Sequence, residues 1–91
     1  METRQNINKE VNVTAWYFRN RHQRMTGYPR RIEYEHREYT FLEGLRLMIH
    51  KGKQAVQLFD MTDGANDYRL RFDDEQQTWT LVSITTASSA M

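Results

Sequence analysis

The residues of this sequence that are best suited to bind a partner lie in one basic and aromatic stretch, WYFRNRHQRMTGYPRR at positions 16–31. The stretch contains five arginines, four aromatic residues and no acidic residue. Arginine binds phosphate groups and an exposed ring stacks on a base, so the composition fits single-stranded nucleic acid. Tyrosine and arginine also dominate protein interfaces. The stretch therefore predicts a binding surface for one of these two partners.

The candidate contact residues follow from alternation along a strand, which places every second side chain on one face. If Trp16 and Phe18 face the core, their neighbours face outward together with arginines of later strands. The predicted contact residues are Tyr17, Arg19, Arg21, Arg24, Tyr28, Arg30, Arg31, Arg69 and Arg71. The predicted partner is a protein with an acidic surface or, alternatively, single-stranded nucleic acid. A further interpretation stays open, in which Glu33 and Glu35 neutralise the arginines and the charges only stabilise the sheet.

Residue types that support catalysis or metal binding occur in no recognised arrangement. The chain has no cysteine, and His22, His36 and His50 lie fourteen residues apart in no ligand motif. The acidic stretch FDMTDGANDY at positions 59–68 lacks the ligand spacing of a calcium loop and suits a hairpin turn around Asp63 and Gly64. We therefore expect a non-catalytic protein without a metal ion or cofactor.

The chain is predicted to fold as one small domain. Its 91 residues are too few for two cores, and 38% hydrophobic and 12% aromatic residues are typical of a globular protein. Residues 1–53 carry eleven Lys and Arg against six Asp and Glu, whereas residues 54–91 carry two against six. This asymmetry favours a charged partner. Because no signal peptide or membrane-spanning run is evident, a cytoplasmic location without membrane contact is expected.

The first part of the predicted domain is β-structure. Residues 1–10 show no periodicity and are expected to be mobile, whereas residues 11–21 are rich in β-branched and aromatic residues and predict the first strand. Residues 30–35 alternate between apolar and charged and predict a second strand, after a turn at residues 25–28 that is followed by Pro29. A tight loop at His36-Arg37 then leads to a short third strand, EYTF at positions 38–41.

Residues 41–51 are predicted to form the one helix of the domain. Thr40 and Glu43 have the spacing of a capping box, and Gly52 supplies a signal for the end of a helix. The apolar residues at helical spacing are Leu42, Leu45 and Ile49. Gly44 inside this segment indicates that another element packs closely against it.

Three further strands, at residues 55–61, 67–72 and 78–84, are predicted to form a meander with turns at Asp63-Gly64 and at residues 73–76. The side chains predicted to face the core are Tyr68, Leu70, Phe72, Trp79 and Leu81. The tail, residues 85–91, is expected to be frayed.

These elements predict an α+β domain over residues 11–84. A single antiparallel sheet of about five to six strands would carry one helix on one face, in the order β-β-β-α-β-β-β. The other face of the sheet would be open to solvent or to a partner.

Overall fold

The computed structural model describes residues 3–19, 25–73 and 75–86, and these form a single curled antiparallel sheet of seven strands. The strands are β1 (Thr3–Arg19), β2 (Met25–Tyr34), β3 (Arg37–Thr40), β4 (Glu43–Lys51), β5 (Gln54–Thr62), β6 (Asn66–Asp73) and β7 (Thr78–Thr86). Their order across the sheet is β3-β2-β1-β7-β6-β5-β4, so β3 and β4 are the two edge strands.

The predicted helix over residues 41–51 is wrong, and with it the α+β class. This segment is strand β4, which pairs with β5 from Glu43 opposite Thr62 to Lys51 opposite Gln54. No helix occurs in the part of the chain that the structure describes. An isolated helix of about eleven residues is marginal in water. The pairing with β5 instead satisfies the backbone groups on one side of the whole segment, and the fold is all-β.

The first strand begins at Thr3, well before the predicted start at residue 11. Its first half pairs with β7, where Thr3 lies opposite Thr86, and its second half pairs with β2. The register shifts once around Asn8, which has a φ of 53°, and again after Thr14. Such bulges bend a strand. The segment expected to be mobile therefore belongs to the sheet from Thr3 onward, while residues 87–91 lie outside the described residues.

The core lies on the inner, concave face of the curled sheet. Its buried apolar residues are Ile32, Phe41, Phe59, Met61, Tyr68, Leu70, Trp79 and Leu81. The inward orientation predicted for Tyr68, Leu70, Trp79 and Leu81 is confirmed, because each is at most 8% exposed. Phe72 is half-buried and packs on Trp79 with the ring centroids 4.7 Å apart.

Aromatic rings join the two halves of the sheet across this core. The rings of Tyr39 and Phe41 lie 5.5 and 5.2 Å from that of Tyr68. Tyr28 meets Phe59 edge-on, with 5.4 Å between the centroids. Such pairs stabilise a core by about 0.5–1.5 kcal/mol beyond the apolar area that they bury. They hold β2 and β3 over β5 and β6.

The chain crosses from one edge of the sheet to the other at Phe41 and Leu42. The N–H of Phe41 donates to the carbonyl of Arg30 on β2, and the N–H of Leu42 donates to that of Thr62 on β5, both at 2.8 Å. Two consecutive residues thus bond to strands on opposite sides of the curled sheet.

The turn between β5 and β6 forms at Asp63 and Gly64 as predicted. One carboxylate oxygen of Asp63, Oδ1, accepts the N–H groups of Ala65 and Asn66 at 2.8 and 2.7 Å. The other, Oδ2, accepts the hydroxyl of the buried Tyr68 at 2.6 Å. The same side chain therefore fixes the turn and satisfies a polar group at the core.

The hairpin between β2 and β3 has a strained loop of two residues, Glu35 and His36. Both have left-handed backbones, with φ of 52° and 64°, as a type I′ turn requires. This conformation costs roughly 1–2 kcal/mol for a residue with a Cβ and almost nothing for glycine.

Replacing His36 with glycine is therefore expected to raise the free energy of unfolding by about 1 kcal/mol. Urea denaturation, monitored by tryptophan fluorescence, measures the change in the free energy of unfolding. His36→Ala is the control, because alanine keeps the Cβ and should leave stability nearly unchanged. If glycine and alanine act alike, the left-handed backbone does not limit stability at this turn.

Candidate functional site

The outer face of the sheet carries the side chains that alternate with those of the core. Arg31 lies there on β2, and Arg69 and Arg71 lie there on β6. The structure therefore places these three predicted contact residues on one face. However, β1 and β7 lie between β2 and β6, and the sheet curls across them, so Arg31 is separated from the other two.

Two of these three arginines form ion pairs across neighbouring strands. Arg69 donates from Nε to Oδ1 of Asp60 at 2.7 Å and from Nη2 to Oδ2 at 2.9 Å. These hydrogen bonds, with the charge of Asp60, raise the pKa of Arg69 above its usual value. Arg31 lies 3.6 Å from a carboxylate oxygen of Glu38. The acidic partners are thus Asp60 and Glu38, rather than the Glu33 and Glu35 considered from the sequence.

The remaining described candidates have different surroundings. Arg71 is exposed and has no ion pair with any residue that the structure describes. Arg30 is exposed at the bulge of β2. Tyr28 faces the core side, where its hydroxyl donates to the carbonyl of Gly44 at 2.7 Å. Its ring packs on Phe59, so Tyr28 contributes to the closure of the fold.

The other four candidates fall where little is described. Tyr17 and Arg19 lie on the backbone of β1, but their side chains are outside the described part of the structure. Arg21 and Arg24 lie outside the described residues altogether. The prediction that these four residues contact a partner stays a prediction.

A groove of about 670 Å³ runs over β4, β5, β6 and β7 on the outer face. Its lining includes both signs of charge and a nearly buried serine, from Arg4, Glu43, Asp60, Asp67, Arg69 and Ser83. Three carboxylates and two guanidinium groups give this surface no basic excess. The groove is a mixed polar surface, and it differs from the basic platform expected from the sequence.

The most unusual surface among the described residues is apolar and lies on β4. Leu45, Leu47 and Ile49 alternate along this strand and point to the outer face, with Leu45 69% exposed. We call these three residues the β4 stripe. Leu42 and Met48 are exposed on the same segment. Because β4 is an edge strand, its backbone is bonded to β5 on one side and has no neighbouring strand on the other among the described residues. Near the start of the strand, the carbonyl of Gly44 already accepts the Tyr28 hydroxyl.

The β4 stripe continues onto the next strand. Leu58 lies opposite Leu47, and Val56 lies opposite Ile49, both half-buried on the same face. Asp60 lies opposite Leu45, so its ion pair with Arg69 borders the apolar surface. Large contiguous apolar patches are rare on soluble monomers and commonly mark interaction sites.

Prediction from the sequence missed this site, because Leu45 and Ile49 also fit the buried side of a helix. Two signals in the sequence indicate a strand instead. Leu45, Leu47 and Ile49 repeat every two residues. The second signal is the dipeptide Gly52-Lys53. In the structure it forms a two-residue loop between the paired residues Lys51 and Gln54, and Gly52 has a φ of 60°. Glycine at the first position of such a loop is typical of a type II′ hairpin.

Comparison with protein-family models, with curated proteins and with solved structures finds no match for this chain. Within residues 3–19, 25–73 and 75–86, no three His, Asp or Glu side chains are grouped so as to hold a metal ion. The described part also has no helix long and apolar enough to cross a membrane.

Proposed function

We propose that this protein is a small non-catalytic binding module, located in the cytoplasm, that engages a protein partner through the free edge of β4 and the β4 stripe. The observation that carries the proposal is the exposure of Leu45, Leu47 and Ile49 on an edge strand. An edge strand presents a row of unpaired N–H and C=O groups that an incoming strand can bond. The apolar side chains beside it supply the area that such a partner would bury.

The edge has few of the features that usually protect such strands from pairing. Proteins blunt free edges with proline, with inward-pointing charges or with very short strands. β4 spans Glu43–Lys51 and contains no proline, and its inner face carries one charged residue near the centre, Arg46. A long apolar edge of this kind supports a surface that a protein partner covers.

An acidic surface on the partner fits the same site. Arg71 lies directly opposite Leu58 on the outer face, next to the apolar area, and is exposed. A carboxylate on a part of the partner that covers the outer face of the sheet would meet this guanidinium group. The nucleic-acid alternative has less support, because Arg31 and Arg69 already pair with carboxylates.

Site-specific cross-linking tests the proposal. A photoreactive phenylalanine derivative at position 47, introduced in the cells that produce the chain, is expected to form covalent adducts with a protein. The matched control is the same group at Thr40, which is exposed on the other edge strand, β3. Adducts from position 47 that are absent from position 40 support the proposal. Equal adducts at both positions, or none at position 47, contradict it.

A further inference from the structure

The sequence of β4 is complementary to itself when it is read in opposite directions. EGLRLMIHK has glutamate at one end and lysine at the other, and Leu45 and Ile49 are placed symmetrically about Leu47. We infer that β4 pairs antiparallel with β4 of a second copy of this chain, about a two-fold axis through Leu47. This inference rests on the proposed function, because it names the partner of the same edge.

The register centred on Leu47 matches residues of compatible chemistry at every outer-face position. On that face, Leu47 lies opposite Leu47 of the second copy, and Leu45 lies opposite Ile49. At the ends of the strand, Glu43 of one copy lies opposite Lys51 of the second copy. Opposite charges and apolar pairs directly across two antiparallel strands are both favourable. The pairs of Leu45 with Ile49 and of Glu43 with Lys51 each occur twice, because the two-fold axis repeats every contact that does not lie on it.

Pairings in which the two-fold axis passes through the residue before or after Leu47 are less favourable. With the axis at Arg46, two guanidinium groups lie directly opposite each other, and like charges in that position are destabilising. With the axis at Met48, Leu45 lies opposite Lys51, and the apolar pairing of Leu45 with Ile49 is lost. The charges at the ends and the apolar residues at the centre therefore favour the same register.

The pairing would cover the free apolar edge without leading to open-ended assembly. A two-fold contact uses the same edge of both copies and closes on itself. The opposite edge of each sheet is the short strand β3, from which the chain crosses at Phe41 and Leu42 to begin β4. The product is a dimer with one continuous sheet and a single joined apolar stripe.

Sedimentation equilibrium of the purified chain tests the inference. The native chain is expected to have twice the 11.0 kDa mass of one copy at about 10–100 μM and to dissociate on dilution. Leu47→Lys places two positive charges opposite each other at the axis and is expected to give a monomer. Thr40→Lys on β3 is the matched control and should remain a dimer. Circular dichroism confirms that each variant is folded.

A charge exchange at the ends of the strand tests the register without touching the apolar centre. Glu43→Lys is expected to weaken dimerisation by about tenfold, and Glu43→Lys with Lys51→Glu is expected to restore it. Failure of the double variant to recover overturns the register. A native chain that stays monomeric overturns self-pairing. If position 47 then still cross-links to another protein, the proposed function stands, and if it cross-links to nothing, both fail.

Discussion

Asp63→Ala is expected to lower the free energy of unfolding by about 2–4 kcal/mol. The substitution removes the acceptor for the N–H groups of Ala65 and Asn66 in the turn. It also removes Oδ2, which accepts the hydroxyl of Tyr68 at 2.6 Å, and Tyr68 is only 1% exposed. Leaving a buried hydroxyl without its acceptor costs more than the net value of a hydrogen bond. Urea denaturation at neutral pH measures the loss.

Asp73 is the matched control for this effect. Its Oδ1 accepts the N–H groups of Glu75 and Gln76 in the next turn, but no tyrosine hydroxyl of the described residues bonds to it. Asp73→Ala is expected to cost about 1 kcal/mol, as the loss of a turn-capping side chain does. A loss for Asp63→Ala no larger than that for Asp73→Ala would falsify the role assigned to the Tyr68 hydroxyl.

The same carboxylate gives the fold a dependence on acid. Burial by itself raises the pKa of Asp63, but the hydrogen bonds from Tyr68, Asn66 and Ala65 outweigh it and lower the pKa below its ordinary value. Because the folded pKa lies below the unfolded one, the stabilisation is fully present above about pH 4. It is lost as the pH falls through the folded pKa. Tyr68→Phe should flatten this acid loss, since one of the hydrogen bonds that lower the pKa is gone.

Gly44→Ala is expected to cost about 1–3 kcal/mol of the free energy of unfolding. A Cβ at this position would lie 2.6 Å from the backbone oxygen of Asp60 and would overlap the sulfur of Met61. The side chain of Met61 can move, but the carbonyl of Asp60 belongs to the neighbouring strand and cannot. To relieve the contact, β4 must shift and weaken the hydrogen bond from Tyr28 to the carbonyl of Gly44.

Gly52→Ala separates this steric effect from the general cost of replacing a glycine. Gly52 has a φ of 60°, and a Cβ there would meet no atom within 4 Å. Its replacement should therefore cost about 1 kcal/mol, from the left-handed backbone alone. Met61→Ala in addition to Gly44→Ala is expected to restore little stability, because the contact with Asp60 remains. Full recovery in that double variant would place the steric conflict at Met61 and contradict the role assigned to the Asp60 carbonyl.

The second half of the fold could be predicted from local patterns. Tyr68 and Leu70 on β6 and Trp79 and Leu81 on β7 alternate with polar residues, and turn-forming residues separate the strands. All the information needed for these hairpins lies in neighbouring parts of the sequence. The side chains predicted to face inward on them are buried, apart from the half-buried Phe72.

The segment of β4 shows why local pattern fails elsewhere. Leu42, Leu45 and Ile49 suit a helix, whereas Leu45, Leu47 and Ile49 suit a strand equally well. What decides between them is the ladder with β5, a contact that propensity does not report. Gly44 was correctly expected to lie against another element, but that element is β5, beside it in the sheet.

The candidate site could not be predicted for the same reason, because its location depends on which strands pair and in which register. Residue types indicated a binding surface rich in arginine, but whether Arg69 is free depends on which residue lies opposite it. That residue is Asp60, and the pairing requires the register of β5 with β6. Exposure of the β4 stripe likewise follows from the position of β4 at the edge of the sheet. The spacing of apolar residues in the sequence does not predict the order of the strands.

The pairing of β1 with β7 has a consequence for biosynthesis. β1 leaves the ribosome before the other strands of the sheet, yet the partner of its first half, near Thr86, lies on β7, which is made after all the others. The hairpins from β4 to β7 can form as they emerge, but the sheet cannot close until β7 is available. Contacts between distant parts of a chain slow folding, and an unpaired strand is prone to aggregate while it waits. During this interval β1 and β6 both expose the edges that later pair with β7, so the nascent sheet is most vulnerable just before β7 is released.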